Sequence, residues 1–555
     1  MPMRRVLIVG GVAGGASCAA RLRRVDENCE IVVFERGPYV SFANCGLPYY
    51  VGDVIQEEKK LLVATPELFQ SRFNIEVRTH HEVVGIDRAA QEVDVVDLQA
   101  GRAYRDRYDA LVLAPGATPI RPSLPGADLE GIFTVRTIPD SRTIRAWIEE
   151  CRARRAVVVG AGFIGLEMVE NLARRGLEVT VLEAASQVMP MLDAEMASYV
   201  EAHLRAHGVS VHTSDPVAAF ARTADGALKV TSSSGAEWEA DLVILAIGVR
   251  PETGLAAKAG LELGSRGGIR VDQAMRTSDP HIWAVGDAVE VKDVVTGEWC
   301  VAPLAGPANR QGRVAADSIA GRQPAFRGVQ STVVCGCLGL TMALTGATEK
   351  RLNVWGGCEY ESVYLHPGHH SAYYPGAKPI HMKLTFRKPD GLLLGAQAVG
   401  EKGVERRIDV FSMALQKQAT VFDLEEAELC YAPQYGAAKD PVNVAGMIAA
   451  NLLRGDVRLA RWEEAPATDA YLVDVREPHE YGAGHVPGAT NVPLSRLRSD
   501  WRRLPRDREI WVYCAAGQRS YYAARLLAQL GFAVRNLPGG YQTYKSFALR
   551  GLTKP

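Results

Sequence analysis

Two of the ten cysteines stand in segments suited to thiolate chemistry. Cys45 lies in SFANCGLPYY, a glycine- and aromatic-rich turn in which Pro48 fits the first turn of a helix, where a missing N–H costs nothing. A thiol at that position has the positive end of a helix dipole beside it, which stabilises a thiolate. Cys514 ends the apolar run EIWVY and opens CAAGQRS, before a helical stretch. Strand, short loop and helix in that order make a concave ring of backbone N–H groups, and Arg519 adds a cation, so the loop suits a thiolate or an anionic persulfide. Tyr50 stands where a redox-active pair commonly places its second cysteine, so Cys45 works alone. A single thiol can hold a mixed disulfide, a persulfide or a sulfenic acid. Cys335 and Cys337 share one face of a probable strand and have no His or Cys partners at metal-ligand spacing; they read as core, and no metal is expected.

Positioning Cys45 falls to two dinucleotide-binding patterns. The first runs strand, glycine turn, helix, strand over 5–35, with Gly10 and Gly15 at the turn and packing positions and Glu35 at the reach of ribose hydroxyls; Val12 fills the second glycine slot beside Gly11. The second, over 156–183, carries Gly160, Gly162 and Gly165 at full spacing, followed by Glu183. A carboxylate there accepts from both ribose hydroxyls and repels a 2′-phosphate, favouring NADH over NADPH, although Arg174 and Arg175 nearby could soften the preference. Lys+Arg (63) nearly balance Asp+Glu (64), which argues against nucleic acid and anionic membranes as partners. No apolar run reaches bilayer length, and no signal peptide is legible, so the expected address is cytoplasmic.

Further strands ending in glycine turns, LVLAPGATP and LVILAIGVRPET, precede TSDPHIWAVGDA with Asp287 after its strand. This order resembles the pyridine nucleotide-disulfide oxidoreductases over residues 4 to about 450. The resemblance implies an α/β fold with two nested Rossmann-like domains: FAD on 1–117 and 250–328, NADH or NADPH on 118–249, and an α+β dimerisation domain over 329–455. It implies FAD contacts from Gly10, Ala13, Gly14, Gly15, Glu35, Arg36, Val83, Ala114, Gly116, Gly286, Asp287 and Ala305, a cofactor contact from Gly248, and a place for Glu167 near the nicotinamide. SFANCGLPYY looks like the single-cysteine branch, which holds coenzyme A disulfide reductases, coenzyme A persulfide or polysulfide reductases, and NADH oxidases and peroxidases. In the first of these a tyrosine from each of two segments reaches the partner subunit's cysteine. Here HSAYYPGAK and CYAPQYGAAKDPVN match, with Tyr373 and Tyr431 favoured over Tyr374 and Tyr435. The same resemblance lays coenzyme A along Ser17, Arg21, Arg24, Ser41 and Asn44, with Asn309 and Lys439; Asn309 replaces a histidine of some relatives. Arg21 and Arg24 share a helix face and could pair with phosphates. A homodimer with shared active sites follows.

From about residue 460 to 555 the chain resembles a rhodanese domain of α/β type. YLVDVREPHEYGAGHVPGA supplies Asp474, Arg476, Glu480, His485 and Gly488 of the family signature, and Cys514 opens the active loop. Tyrosine-phosphatase-type loops carry one more residue between cysteine and arginine, so this shorter ring suits sulfur better. A sulfane-sulfur carrier fused to a single-cysteine flavin reductase suggests that one supplies what the other consumes. The expected activity is NAD(P)H-dependent reduction of coenzyme A persulfide, polysulfide or coenzyme A disulfide. Two alternatives are a peroxidase or oxidase cycling Cys45 through sulfenic acid, and a redox sensor or sulfur carrier without turnover.

Overall fold

The computed structural model describes residues 4–549. It divides into two compact units, one running to Leu182 and including Asp215–Val329, the other made of Glu183–Ser214 and the chain from Gln330.

In the first unit, five parallel strands lie in the order Ile282–Ala284, Ala110–Leu113, Arg5–Val9, Glu30–Glu35, Glu76–Thr79. Val6, Leu7 and Ile8 are fully buried, as an unbroken apolar run requires when helices cover both faces of a parallel sheet. A second parallel set places Arg155–Val159 between Glu178–Glu183 and Leu242–Leu245. Each glycine turn works by the same contact. A Cβ on Gly15 would stand 1.9 Å from the Gly10 carbonyl oxygen, and one on Gly165 would stand 2.0 Å from that of Gly160, so only glycine lets helix and strand meet there. The chain passes from one Rossmann-like part to the other through Ala117–Pro119 and returns through Val249–Pro251, and these two segments pair antiparallel.

In the second unit, five antiparallel strands follow the order Val333–Cys337, Leu340–Gly346, Leu393–Gly400, Ile380–Arg387, Tyr360–Leu365. Helices Val404–Gln416 and Pro441–Leu453 bury Ile408, Phe411, Val442 and Ala445 in the same core as Leu384 and Phe386. Cys335 and Cys337 are both buried core residues, as read from their spacing. Asp193, Glu195 and Glu349 converge, but the buried Lys383 ammonium stands among them, 2.8 Å from Asp193, 2.5 Å from Glu195 and 2.9 Å from Glu349, and takes the central place a cation would occupy.

The C-terminal part of this unit has parallel strands in the order Thr490–Asn491, Tyr471–Asp474, Ile510–Tyr513, Val534–Asn536. The charged stretch around residues 455–465 that leads into it is folded. Leu459 bridges to Asn536, and Trp462 is buried with its indole N–H donating to the Pro538 carbonyl at 2.8 Å. Among the described residues no helix is long and apolar enough to cross a membrane.

Candidate active sites and the family

A cleft of about 340 Å³ opens at the carboxyl ends of the first sheet, the usual ligand position of such folds. Gly10, Ala13, Gly14, Glu35, Arg36, Val83, Ala114, Gly116, Gly286 and Asp287 line it, with Asn44 at its edge. Gly15 lies behind this wall as the packing glycine, Gly248 is in the left-handed region at φ +114 before the return strand, and Ala305 opens the helix Ala305–Ile319. Glu35 is preset: its Oε2 accepts from the Gly11 N–H at 3.0 Å and its Oε1 from the Gly37 N–H at 2.9 Å. Sequence reasoning missed Arg136, a cation in the cleft wall that opposes the rise burial imposes on the Asp287 carboxyl. It sits in VRTIPD, which carries no motif to find it by.

Cys45 sits in a single turn of 3-10 helix, Asn44–Gly46, that leads into the helix Leu47–Val51, with Pro48 in its first turn. The side chain reaches solvent, yet desolvation by the surrounding protein, followed by the charges of Glu167 and Asp287, pushes its thiol up. The direction runs against the expected dipole-stabilised thiolate: desolvation first, and the two carboxylates after it, act against the weak dipole of a five-residue helix. Burial likewise raises the Glu167 carboxyl to about 7, with the Tyr49 hydroxyl 3.4 Å away pulling against that rise. The far end of the Cys45 helix is held by guanidinium groups, Arg145 donating to the Tyr50 carbonyl at 2.7 Å and Arg175 to that of Val51 at 3.2 Å. Arg175 also pairs with Asp53 at 2.9 Å, and Arg174 with Glu170 at 2.9 Å. Arg175 is thereby held away from a 2′-phosphate, whereas Arg174, with its side chain 55% exposed, stays accessible. Glu183 closes the strand Glu178–Glu183 and accepts from the Ala185 N–H at 2.8 Å.

The residues proposed for coenzyme A are only partly available. Ser17 donates to the Asn309 side chain, and Arg21 is committed to Asp317 through two bonds of 2.9 and 3.2 Å. Arg21 thus departs from the expected phosphate role, whereas Arg24 and Lys439 are exposed. Ser41 takes φ +47 and donates its N–H to the Gly11 carbonyl at 2.8 Å, tying the Cys45 segment to the first glycine turn.

In the second unit the hydroxyls of Tyr373 and Tyr431 are 2.6 Å apart, and both rings are exposed. Their bond lowers the Tyr431 phenol and raises that of Tyr373. Tyr374 turns its ring edge to His370, and the Tyr435 backbone carbonyl accepts from Arg406, so the structure brings together the favoured pair.

The Cys514 side chain is buried at the end of the strand Ile510–Tyr513, and its sulfur accepts from the Gly517 N–H at 3.1 Å. Gly517, at φ +100, turns the loop into the helix Gln518–Gln529. Arg519 is gripped by Glu480 through bonds of 2.6 and 2.7 Å, and this pairing holds the Glu480 carboxyl down at about 2. The pair fixes where the guanidinium points, a link between two distant segments that spacing alone does not show.

Comparison with known proteins now decides the lineage. The model of the pyridine nucleotide-disulphide oxidoreductases matches residues 4–312, that of their dimerisation domain 333–440, and that of the rhodanese-like domain 458–547. The chain belongs to the pyridine nucleotide-disulphide oxidoreductase family. It is 36% identical over 451 residues to the coenzyme A disulfide reductase of Staphylococcus haemolyticus, covering 81% of this chain and 100% of that one. The crystal structure of reduced Bacillus anthracis CoADR-RHD superposes with a TM-score of 0.97 at 46% identity, covering 99% of each chain. That of an NAD-dependent persulfide reductase from A. fulgidus gives 0.91 at 38%, over 97% of this chain and 100% of the other. As a member of this family the protein is an FAD- and NAD(H)-dependent oxidoreductase, and its glycine turns, Glu35 and half-buried Asp287 fit the nucleotide such enzymes carry.

Proposed function

We propose that this protein uses NADH to reduce sulfur–sulfur bonds carried by coenzyme A, through Cys45, and that Cys514 handles sulfane sulfur. One observation carries the reading: a lone thiol beside the dinucleotide cleft, with Tyr50 where a second cysteine would stand, in a chain that also folds an N–H-lined loop around Cys514. FAD, when bound, converts the hydride of NADH into an electron pair that sulfur can accept. Glu183, preset by the Ala185 N–H, suits ribose hydroxyls and disfavours a 2′-phosphate.

Cys45 thiolate attacks one sulfur of coenzyme A disulfide; the S–S bond breaks, one coenzyme A thiolate departs, and a mixed disulfide remains on Cys45. Two electrons cleave that bond, returning Cys45 as thiolate and releasing the second coenzyme A as thiol. With coenzyme A persulfide the outer sulfur passes to Cys45, and the same two electrons with two protons release hydrogen sulfide. The linked phenols of Tyr373 and Tyr431, supplied by the second subunit of a homodimer, would give the departing thiolate its proton. Ten free cysteines fit a reducing compartment, and we place the reaction in the cytoplasm.

Anaerobic NADH oxidation tests this, with coenzyme A persulfide, polysulfide, coenzyme A disulfide and hydrogen peroxide offered separately. Turnover with the sulfur acceptors, lost in Cys45→Ser, is the expected result. Rapid turnover with peroxide alone, or a fully active Cys45→Ser, overturns it.

A further inference from the structure

The helix Gly540–Leu549 sits against the Cys514 loop. The Tyr541 N–H donates to the Cys514 carbonyl at 2.7 Å and the Gln542 N–H to the Ala515 carbonyl at 3.0 Å. Because a peptide unit is planar and trans, a carbonyl fixed outward aims the N–H of the next residue the opposite way. Pinning the carbonyls of Cys514 and Ala515 therefore orients the N–H groups of Ala515 and Ala516, two members of the ring that suits a thiolate.

The same helix is gripped on its other side by residues from outside the rhodanese-like segment. His366 Nε2 is 2.8 Å from Thr543 Oγ1, and His366 Nδ1 is 2.9 Å from His381 Nδ1. The His381 ring stacks on Tyr199 at 3.8 Å with an interplanar angle of 5°, and the Tyr199 hydroxyl donates to the Gln542 carbonyl at 3.3 Å. His366 follows the strand Tyr360–Leu365, His381 lies in Ile380–Arg387, and Tyr199 belongs to the helix Ala194–Ala206. Three elements thus converge on one helical turn. Burial lowers both imidazoles, His381 to about 4, so the pair is neutral near pH 7: one Nδ1 donates, the other accepts, and directional hydrogen bonding holds the turn.

We propose that Tyr199 and His366 are positioning residues for sulfur transfer at Cys514, bracing from outside its own domain the helix that aims the N–H groups of the Cys514 loop. The inference rests on the sulfurtransferase reading of Cys514. It implies that sulfur transfer by this chain depends on the dimerisation sheet as well as on the loop.

The test uses the full-length protein with thiosulfate as sulfur donor and cyanide as acceptor, beside iodoacetamide labelling of Cys514 followed by peptide mass spectrometry. Loss of the bracing contacts in His366→Ala, or of one such contact in Tyr199→Phe or Thr543→Val, should lower kcat for sulfur transfer about ten-fold, with a smaller change in KM for thiosulfate. His366→Gln, whose amide can still meet Thr543, should restore most of the rate. NADH oxidation with coenzyme A disulfide should stay at the wild-type level. Should His366→Ala fail to fold, Tyr199→Phe and Thr543→Val decide. Wild-type kcat in these folded variants, or no rescue by glutamine, overturns the proposal. If the wild-type protein transfers no sulfur, the sulfurtransferase reading itself fails, and labelling judges the positioning claim alone: slower labelling of Cys514 in the variants supports it, an unchanged rate overturns it.

Discussion

Glu167 and Glu480 are two carboxyls whose surroundings push them in opposite directions, and each makes a prediction about pH. Burial raises the folded-state value of Glu167 to about 7, so the folded protein binds that proton more tightly than the unfolded chain does. Stability from this group is full below the ordinary carboxyl value of 4.5 and is lost as pH rises through about 7. Glu167→Gln should therefore raise the melting temperature at pH 8.5 and leave it nearly unchanged at pH 5, which calorimetry at the two pH values checks. Glu480 is held at about 2 by Arg519, so its contribution is present above 4.5 and disappears as pH falls toward 2. Glu480→Gln breaks a two-bond grip and frees Arg519 to swing; sulfur transfer from thiosulfate should fall about ten-fold while reduction of coenzyme A disulfide is unaffected. Both carboxyls are visible in the sequence, Glu167 beside a glycine motif and Glu480 within a signature. Their surroundings are not, because Tyr49 and Arg519 reach them from other parts of the chain.

At the scale of elements, the sequence is most informative where a contact is local and steric. The glycine turns were legible because Gly10 and Gly15, or Gly160 and Gly165, meet within one turn of chain, and no other residue fits. Gly165→Ala would drive a Cβ to 2.0 Å from the Gly160 carbonyl oxygen; displacement of the helix should raise KM for NADH with FAD retained, as steady-state kinetics and the flavin absorbance would show. The packing of the charged stretch around residues 455–465 was not legible in the sequence, because it has little periodicity and periodicity reports only faces of regular elements. Its order comes from backbone bonds to Asn536 and from one large side chain. Trp462→Ala removes a fully enclosed indole and its bond to Pro538, which should cost about 3–5 kcal/mol in the urea unfolding of the C-terminal domain. Arg136, the bond between the Tyr373 and Tyr431 hydroxyls, and the grip of Arg145 and Arg175 on the Cys45 helix were likewise beyond sequence reading, since each depends on segments that tertiary folding alone brings together.

For the molecule as a whole, the order of dinucleotide patterns and the rhodanese signature made the architecture and the oxidoreductase class readable in advance, and the family comparisons agree with both. Two thiols with separate supports predict separable activities. Cys514→Ser should keep NADH-dependent reduction of coenzyme A disulfide while losing transfer from thiosulfate, and Cys45→Ser should do the reverse; parallel assays of the two variants check this. The ribbon formed by Ala117–Pro119 and Val249–Pro251 has a different implication, for ancestry and engineering. Val249 lies opposite Pro119 and Pro251 opposite Ala117, so the inserted stretch leaves and re-enters its host at one doorway. A host whose two cut ends already touch closes the gap with little loss of chain entropy, whatever fills it. If the inserted stretch holds the nicotinamide nucleotide, as proposed, a graft from a relative between those two strands that keeps Asp193, Glu195 and Tyr199, which pack in the second unit, should exchange coenzyme preference without rebuilding the host sheet.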